Sequence, residues 1–203
     1  MPEQSGDKVE ERAADALLTL DAEAREAVLP NRETAPVKAL SWYSEIGDQP
    51  QMRTLAGGLL ALGLIRRDPR MARAGVRMLL AHELATFAKN FVKKRVDRSR
   101  PNSAEDEDEQ KPKLGGSTDK AEPSFPSGHS AGAASVARAF AREYPEYSAP
   151  ALAAAGVAAL AQIPRCAHYP TDGGAGIAIG GAAEALVDAA WRAVTPERSR
   201  DPQ

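Results

Sequence analysis

Cysteine is nearly absent from this sequence, and aromatic residues and long apolar runs are scarce. The 203 residues include one cysteine, Cys166, so the chain cannot form an internal disulfide, and a thiolate metal site is not expected. We interpret Cys166 as a small buried residue. The formal net charge of −2 gives no overall attraction to nucleic acid. The first thirty residues lack a basic start followed by an apolar run, so no secretory signal peptide is expected.

Apolar runs are too short to identify a membrane protein by length alone, because none reaches the roughly eighteen residues of a clear span. The most apolar segments are 54–65, 149–164 and 173–187, and all three are rich in alanine and glycine. Such small residues bury little area in a water-soluble core, but they allow close helix contacts in a membrane. Composition therefore leaves a soluble and a membrane protein about equally open.

Helical periodicity dominates the chain, and no strand alternation or internal repeat is present. Residues 7–29 predict an amphipathic helix with one apolar stripe, which we expect to pack on the domain or on a partner. The stripe contains Val9, Ala13, Ala16, Leu17, Leu20, Ala24 and Val28. Further helices are predicted over 51–66, 70–98, 129–143, 149–164 and 174–194, with a short helix or loop over 36–49. The predicted fold is all-α, a bundle of about five core helices plus the N-terminal amphipathic helix.

The pattern also divides the chain into three parts. Residues 1–50 are the N-terminal helix and a linker, residues 51–194 form the helical-bundle domain, and residues 195–203 are a polar tail. Within the domain, residues 99–125 are predicted to be a long loop, because they combine proline, glycine, serine and mixed charge.

The first stretch that could carry chemistry is KKRVDRSRP, residues 93–101. Lys93 and Arg100 are seven residues apart, about two helical turns, so they would project from nearly the same helix face. Pro101 predicts that the helix ends at Arg100. Two cations at a helix end can clamp an oxyanion, although they could equally complement the helix dipole.

The second stretch is FPSGHS, residues 125–130, at the start of a predicted helix. Ser127 is a good N-cap, and Gly128 allows a ligand to approach the backbone. The first N–H groups of the helix have no intrahelical partner and bind phosphate well. His129 would then stand beside the anion; the alternative is a capped helix start with an exposed histidine.

The third stretch is PRCAHYPTDGG, residues 164–174. His168 and Asp172 are four residues apart, within reach of each other in one helical turn. A carboxylate on one ring nitrogen would fix the tautomer and leave the other nitrogen free as a nucleophile. Arg165 could add a phosphate contact. A purely structural His–Asp pair is the alternative.

Taken together, the three stretches favour phosphoryl transfer through a phosphohistidine. Cations would repel a divalent metal near His129 and His168, and only Asp172 is well placed to be a ligand, so no metal is expected. Charge on the phosphoryl oxygens would be stabilised by the cations and by backbone N–H groups.

These motifs resemble those of the type 2 phosphatidic acid phosphatase family, which shares its site with vanadium haloperoxidases and bacterial class A acid phosphatases. The matching motifs are Lys-x₆-Arg-Pro at 93–101, Pro-Ser-Gly-His at 126–129 and His-x-x-x-Asp at 168–172, and the resemblance covers about residues 50–190. It implies that His168 attacks phosphorus, that Asp172 orients it, and that His129 protonates the leaving oxygen. It also implies a phosphate site made by Lys93, Arg100, Ser127 and Gly128, without metal or other cofactor.

The third motif departs from the family pattern at one position. The family usually has Ser-Arg with the arginine six residues before the histidine, but Gln162 stands at that position here and Ala161 precedes it. Arg165 lies three residues before His168 instead. On a helix, positions 162 and 165 differ by only about 60°, so the long Arg165 side chain could supply the missing charge.

The resemblance leaves the substrate open. We expect a lipid phosphatase, because that branch is small and membrane-embedded. Its substrate would be a phospholipid or isoprenyl phosphate, such as phosphatidate or an isoprenyl diphosphate. This branch implies a multi-pass membrane protein, in a bacterial inner membrane. The alternatives are a soluble small-molecule acid phosphatase or haloperoxidase with the same site, and a non-enzymatic helical interaction protein with a degenerate site.

Overall fold

A computed structural model describes residues 3–45, 48–115 and 123–195. In these ranges the chain forms seven α-helices and one pair of two-residue strands, which confirms the all-α prediction. The helices are α1 (Glu3–Val28), α2 (Ala35–Ser44), α3 (Gln49–Arg66), α4 (Pro69–Lys93), α5 (Gly128–Glu143), α6 (Ser148–Leu160) and α7 (Pro170–Val194). Strands β1 (Val96–Asp97) and β2 (Lys113–Leu114) pair antiparallel. Part of the predicted loop and most of the predicted tail lie outside the described residues.

Local sequence signals explain where several helices begin. The Asp68 carboxylate caps α4 by accepting from the backbone N–H groups of Arg70 and Met71, at 2.9 and 3.1 Å. Proline in the first turn of α4 and α7 has no N–H group to leave unsatisfied there. Ser127 caps α5 through its side chain. These signals fix the start of α5 and α7, the two helices that follow the second and third motifs.

Alanine and glycine let the bundle helices approach closely. The core contains fully buried alanines such as Ala56, Ala81 and Ala139, with Met78 beside them. Helices α5 and α7 are so close that a Cβ added at Gly176 would clash with the carbonyl oxygen of Ser127. A side chain there would push the two helices apart, and with them the second and third motifs.

Several predicted boundaries are wrong by a few residues around the motifs. Helix α4 ends at Lys93 rather than at 98, so Lys93 and Arg100 do not share a helix face. Beyond Lys93 the chain turns into β1, and the Arg98 side chain after that strand is buried, at 2 % exposed. Helix α6 ends at Leu160, which places residues 161–169 in turns, and α7 begins at Pro170 instead of 174.

The N-terminal helix α1 packs by a different face from the predicted one. The apolar stripe is largely in solvent, since Val9 and Leu17 are 64 % and 51 % exposed. The side chain that is buried is polar: Asp21 is 2 % exposed. Arg25, one turn later, also contacts the rest of the chain. The helix is therefore attached through charged residues.

Large apolar side chains are also exposed on the helices of the bundle. They include Leu55, Leu64, Ile65, Phe87, Phe91 and Leu186, each at least half exposed. None of the described helices is both long enough and apolar enough to span a lipid bilayer.

Candidate active site

The three sequence motifs converge on one cavity of about 140 Å³. The end of α4 contributes Lys93, the following loop contributes Arg100, and the start of α5 contributes Gly128 and His129. The turns between α6 and α7 contribute His168. Residues that are up to 75 positions apart in the sequence thus face the same small volume.

His168 and Asp172 are paired, as their spacing predicts. His168 is 4 % exposed and Asp172 is fully buried. The Nδ1 atom of His168 lies 3.6 Å from Oδ2 of Asp172, slightly longer than a hydrogen bond. Catalytic contacts are often this long before substrate binds. Because Nδ1 faces the carboxylate, Nε2 is the ring nitrogen left for a ligand in the cavity.

Asp172 is itself held on both oxygens. Oδ2 accepts from the backbone N–H of Tyr169 at 2.9 Å, and Oδ1 accepts from Nη1 of Arg98 at 2.7 Å. The Arg98 guanidinium also lies over the Tyr169 ring, 3.8 Å from its centroid. The Asp172 carbonyl accepts from the N–H of Ser127 at 3.0 Å, which ties the third motif to the second.

The electrostatics of the pair favour a neutral histidine beside an ionised carboxylate. Burial lowers the pKa of His168 below its usual value; Asp172 opposes this effect, and Lys93 and Arg100 add to it. Burial alone would raise the pKa of Asp172, but His168 and Arg98 together hold it below its ordinary range. A neutral imidazole keeps the free electron pair that a nucleophile needs.

His129 lies across the cavity and contacts a residue that the motifs did not indicate. Its Nε2 is 2.7 Å from Oδ1 of Asp48, at the N-terminus of α3. Burial lowers the pKa of His129 to about 4; Asp48 raises it, whereas His168, Arg165 and Arg100 lower it. The cations that would attract phosphate thus also disfavour a proton on His129 when the cavity holds no anion.

The N-terminus of α5 faces the cavity through Gly128. A Cβ at Gly128 would lie 3.2 Å from Nζ of Lys89, so the glycine leaves room for that ammonium group. Ser127, predicted as a phosphate ligand, is fully buried and is not among the residues that line the cavity. Its hydroxyl oxygen instead accepts from the N–H and the hydroxyl of Ser130, at 3.3 and 3.0 Å.

In the third motif, Gln162 stands where the family usually has arginine, and Arg165 was expected to replace it. Both residues line the cavity. Arg165 donates from Nη1 to the hydroxyl of Ser44 on α2 at 2.6 Å, which fixes the guanidinium beside the cavity. Gln162 is 1 % exposed, and its Oε1 has no hydrogen-bond partner among the described residues. Arg165 therefore brings the positive charge, although both residues lie in turns beyond α6 instead of on a helix.

Two charged residues of the cavity lining, Lys89 and Asp48, belong to none of the three stretches singled out in the sequence. Lys89 lies four positions before Lys93, and this spacing on one helix face could have indicated it. Asp48 has no comparable signal, because its position beside His129 depends on how α3 packs. Among the described residues, no three His, Cys, Asp or Glu side chains are grouped as metal ligands usually are.

Comparison with known proteins defines the class. The family model of the PAP2 superfamily matches residues 74–195, which is more than half of the chain, and the protein therefore belongs to this superfamily. The matched region contains all three motifs.

A solved structure supports the fold. It is described as the first transmembrane PAP2 type phosphatidylglycerolphosphate phosphatase, from Bacillus subtilis. It is similar to this chain with a TM-score of 0.68 and 20 % sequence identity, over 90 % of each chain. At this identity the likeness establishes the helical architecture. The search of curated proteins gave no significant match.

Proposed function

We propose that the protein is a metal-independent phosphatase that hydrolyses a lipid phosphomonoester or diphosphate through a phosphohistidine on His168. Phosphatidate and isoprenyl diphosphates are the substrates we favour. The observation that carries the proposal is the cavity, which combines the buried His168, the half-buried His129, several cations and the N-terminus of α5. Membership of the PAP2 superfamily supports a phosphatase.

In the first step, the electron pair on Nε2 of His168 forms a bond to phosphorus while the ester P–O bond breaks. The leaving oxygen takes the electron pair of that bond and receives a proton from His129. The imidazole of His168 becomes positively charged, and the ionised Asp172 stabilises this charge. Binding of a phosphate anion would raise the pKa of His129 by neutralising nearby cations, so that the proton is present when it is needed.

In the second step, water attacks the phosphorus of the phosphohistidine. His129, now neutral, accepts a proton from this water, the P–N bond breaks, and its electron pair returns to Nε2. Inorganic phosphate leaves. In both steps the equatorial oxygens carry negative charge that Lys89, Lys93 and Arg100 can offset, together with the N–H groups at the start of α5.

An apolar cavity beside the site supports a substrate with a hydrocarbon chain. Its volume is about 340 Å³, and its lining includes Met52, Ala133 and Ala158. These positions lie three or four residues in the sequence from residues that line the site cavity, namely Gln49, His129 and Gln162. On α3 and α5 this spacing is about one helical turn, roughly 6 Å along the helix axis. A lipid with its phosphate in the site cavity could therefore place its hydrocarbon chain in the apolar cavity.

We also propose that the protein is located at a membrane. A lipid substrate is met there, the exposed apolar side chains of α3 and α4 would be covered by lipid, and the similar Bacillus subtilis structure is described as transmembrane. Extraction of cell membranes with carbonate and then with detergent measures how firmly the chain is held. Release without detergent would favour a soluble small-molecule phosphatase.

Phosphate release should persist in EDTA and stop with vanadate. The proposed chemistry uses side chains alone, so a chelator removes nothing that it needs, while vanadate mimics pentacoordinate phosphorus at the cavity. The measurement is phosphate release by detergent-purified protein from phosphatidate, an isoprenyl diphosphate and p-nitrophenyl phosphate. Loss of turnover in EDTA, restored by added metal, would contradict the mechanism. Vanadate-dependent halide oxidation without hydrolysis would indicate a haloperoxidase.

Filling the apolar cavity should discriminate between substrates. Ala154 lines the cavity and is exposed, so Ala154→Phe adds bulk there without disturbing the core. Excluding about two methylenes of a lipid chain should raise KM for phosphatidate about tenfold. KM for p-nitrophenyl phosphate should not change, because this substrate has no chain.

The matched control is Ala153→Phe, at an exposed neighbouring position that does not line the cavity. It should leave both KM values unaltered. Equal effects of Ala154→Phe on both substrates would argue that the cavity does not receive a lipid chain.

A further inference from the structure

One buried carboxylate of α1 reaches the catalytic pair through Arg98. Nη2 of Arg98 donates to Oδ2 of Asp21 at 2.6 Å, while Nη1 donates to Oδ1 of Asp172 at 2.7 Å. Both Asp21 and Arg98 are 2 % exposed. Oδ1 of Asp21 also accepts from the N–H of Thr171 at 3.1 Å, next to Asp172 in the sequence. Asp21 is thus hydrogen-bonded both to Arg98, which holds the Asp172 carboxylate, and to Thr171, which precedes Asp172 in the chain.

A second residue of α1 holds the loop that carries Arg100. Nε of Arg25 donates to the carbonyl of Pro101 at 2.9 Å, and Nη2 donates to the carbonyl of Ala104 at 3.0 Å. Both carbonyls belong to a turn that begins at Arg100, and the Arg100 carbonyl accepts from the N–H of Ala104 at 2.9 Å. Arg25 therefore holds the backbone immediately after Arg100, a residue that lines the site cavity.

The charges indicate what Asp21 does. One guanidinium lies between two carboxylates, so Asp21, Arg98 and Asp172 together carry one negative charge in excess. That excess is available to stabilise a positive charge on His168. Without the Asp21 charge, Arg98 would neutralise Asp172 completely, and an imidazolium at His168 would be less stable.

We propose that α1 contributes two positioning residues to the active site. Asp21 positions the Asp172–His168 pair through Arg98, and Arg25 positions the loop that carries Arg100. This inference rests on the proposed function of His168. It explains why Asp21 is the buried side chain among the described side chains of α1, while the apolar stripe of the helix lies in solvent. Both residues would act through others, since neither is among the residues that line the cavity.

The first test compares Asp21→Asn with Asp15→Asn, an exposed aspartate on the same helix. Asp21→Asn should lower kcat about tenfold at nearly unchanged KM, in the range of other residues that support a catalytic group. The pKa of His168, followed by histidine ring NMR, should fall below the wild-type value. Asp15→Asn should match wild type in both. The other titratable and charged groups that face His168 are unaltered in either variant, and they include Lys93, Arg100, Asp172, His129 and Arg165.

The second test compares Arg25→Ala with Arg12→Ala, which is exposed on α1. Loss of Arg25 frees the Arg100 loop, so KM should rise about tenfold, more than kcat falls. The affinity for inorganic phosphate, measured by calorimetry, should weaken in parallel. Arg12→Ala should bind phosphate normally.

The outcomes separate this inference from the proposed function. If wild type turns over and Asp21→Asn equals Asp15→Asn in kcat and in the His168 pKa, the role of Asp21 is overturned. If wild type hydrolyses nothing, the proposed function fails, and NMR and phosphate affinity still decide whether α1 acts on the site. If Asp21→Asn does not fold, Arg25→Ala decides, and normal phosphate affinity in that variant would overturn the inference.

Discussion

Replacing His168 by alanine should abolish phosphate release from every substrate. The variant has no atom at the position of Nε2, so a phosphohistidine cannot form, and loss of a nucleophile lowers kcat by about 10⁴-fold or more. Steady-state phosphate release measures the loss. Rapid quenching into alkali should trap an acid-labile phosphoenzyme in wild type and none in His168→Ala.

Two further variants separate nucleophilic attack from simple phosphate binding. Asp172→Asn keeps the shape of the side chain but loses the charge that stabilises His168, so it should retain a small residual activity. Inorganic phosphate should still bind to His168→Ala, because the cations and Gly128 remain. A phosphoenzyme that survives in His168→Ala would show that another residue carries the phosphoryl group.

The depressed pKa of His168 extends this prediction to pH. A histidine whose pKa lies below 6.5 in the folded protein loses its proton at a lower pH than usual, so the nucleophile stays neutral from neutral pH down into mildly acidic solution. On the acid side of the pH profile of kcat/KM, the apparent pKa that reports on His168 should therefore lie below the ordinary histidine pKa. An apparent pKa above the ordinary histidine value would mean that burial and the neighbouring cations do not determine the pKa of His168.

The helices were predictable from the sequence where periodicity is long, and their ends were less so. Helix α4 follows the apolar pattern up to Lys93, and the pattern gave no warning of its end. Soon after this end, Arg98 is buried between Asp21 and Asp172. Partners 77 and 74 positions away cannot be found from local propensity.

The site was predictable to the extent that its residues carry motifs. His129, His168 and Arg100 have spacings typical of a known chemistry, and the fold brings them to one cavity. Asp48 and Asp21 belong to no motif, and their contacts with His129 and Arg98 form only when α3 and α1 have packed. Ser127 is a good N-cap by sequence, and it does cap α5, but its side chain does not line the cavity.

Replacing His129 by alanine should have an effect that depends on the leaving group. His129 would supply the proton to the departing oxygen, and loss of such a general acid lowers the rate by about 10²–10⁴-fold. Phosphatidate and other alkyl phosphates should suffer the full loss, because an alkoxide leaves poorly without a proton. p-Nitrophenyl phosphate should suffer much less in its first step, because the nitrophenolate ion is already stable.

The prediction for His129→Ala is checked by measuring the phosphoenzyme during turnover. In the proposed mechanism His129 is also the base for water, so a phosphohistidine on His168 should accumulate during turnover of p-nitrophenyl phosphate and produce a burst of nitrophenolate. Asp48→Asn should lie between wild type and His129→Ala, because the carboxylate 2.7 Å from Nε2 favours the protonated ring. Equal losses on alkyl and aryl substrates, without a burst, would assign His129 to phosphate binding, because a binding contact serves every leaving group alike.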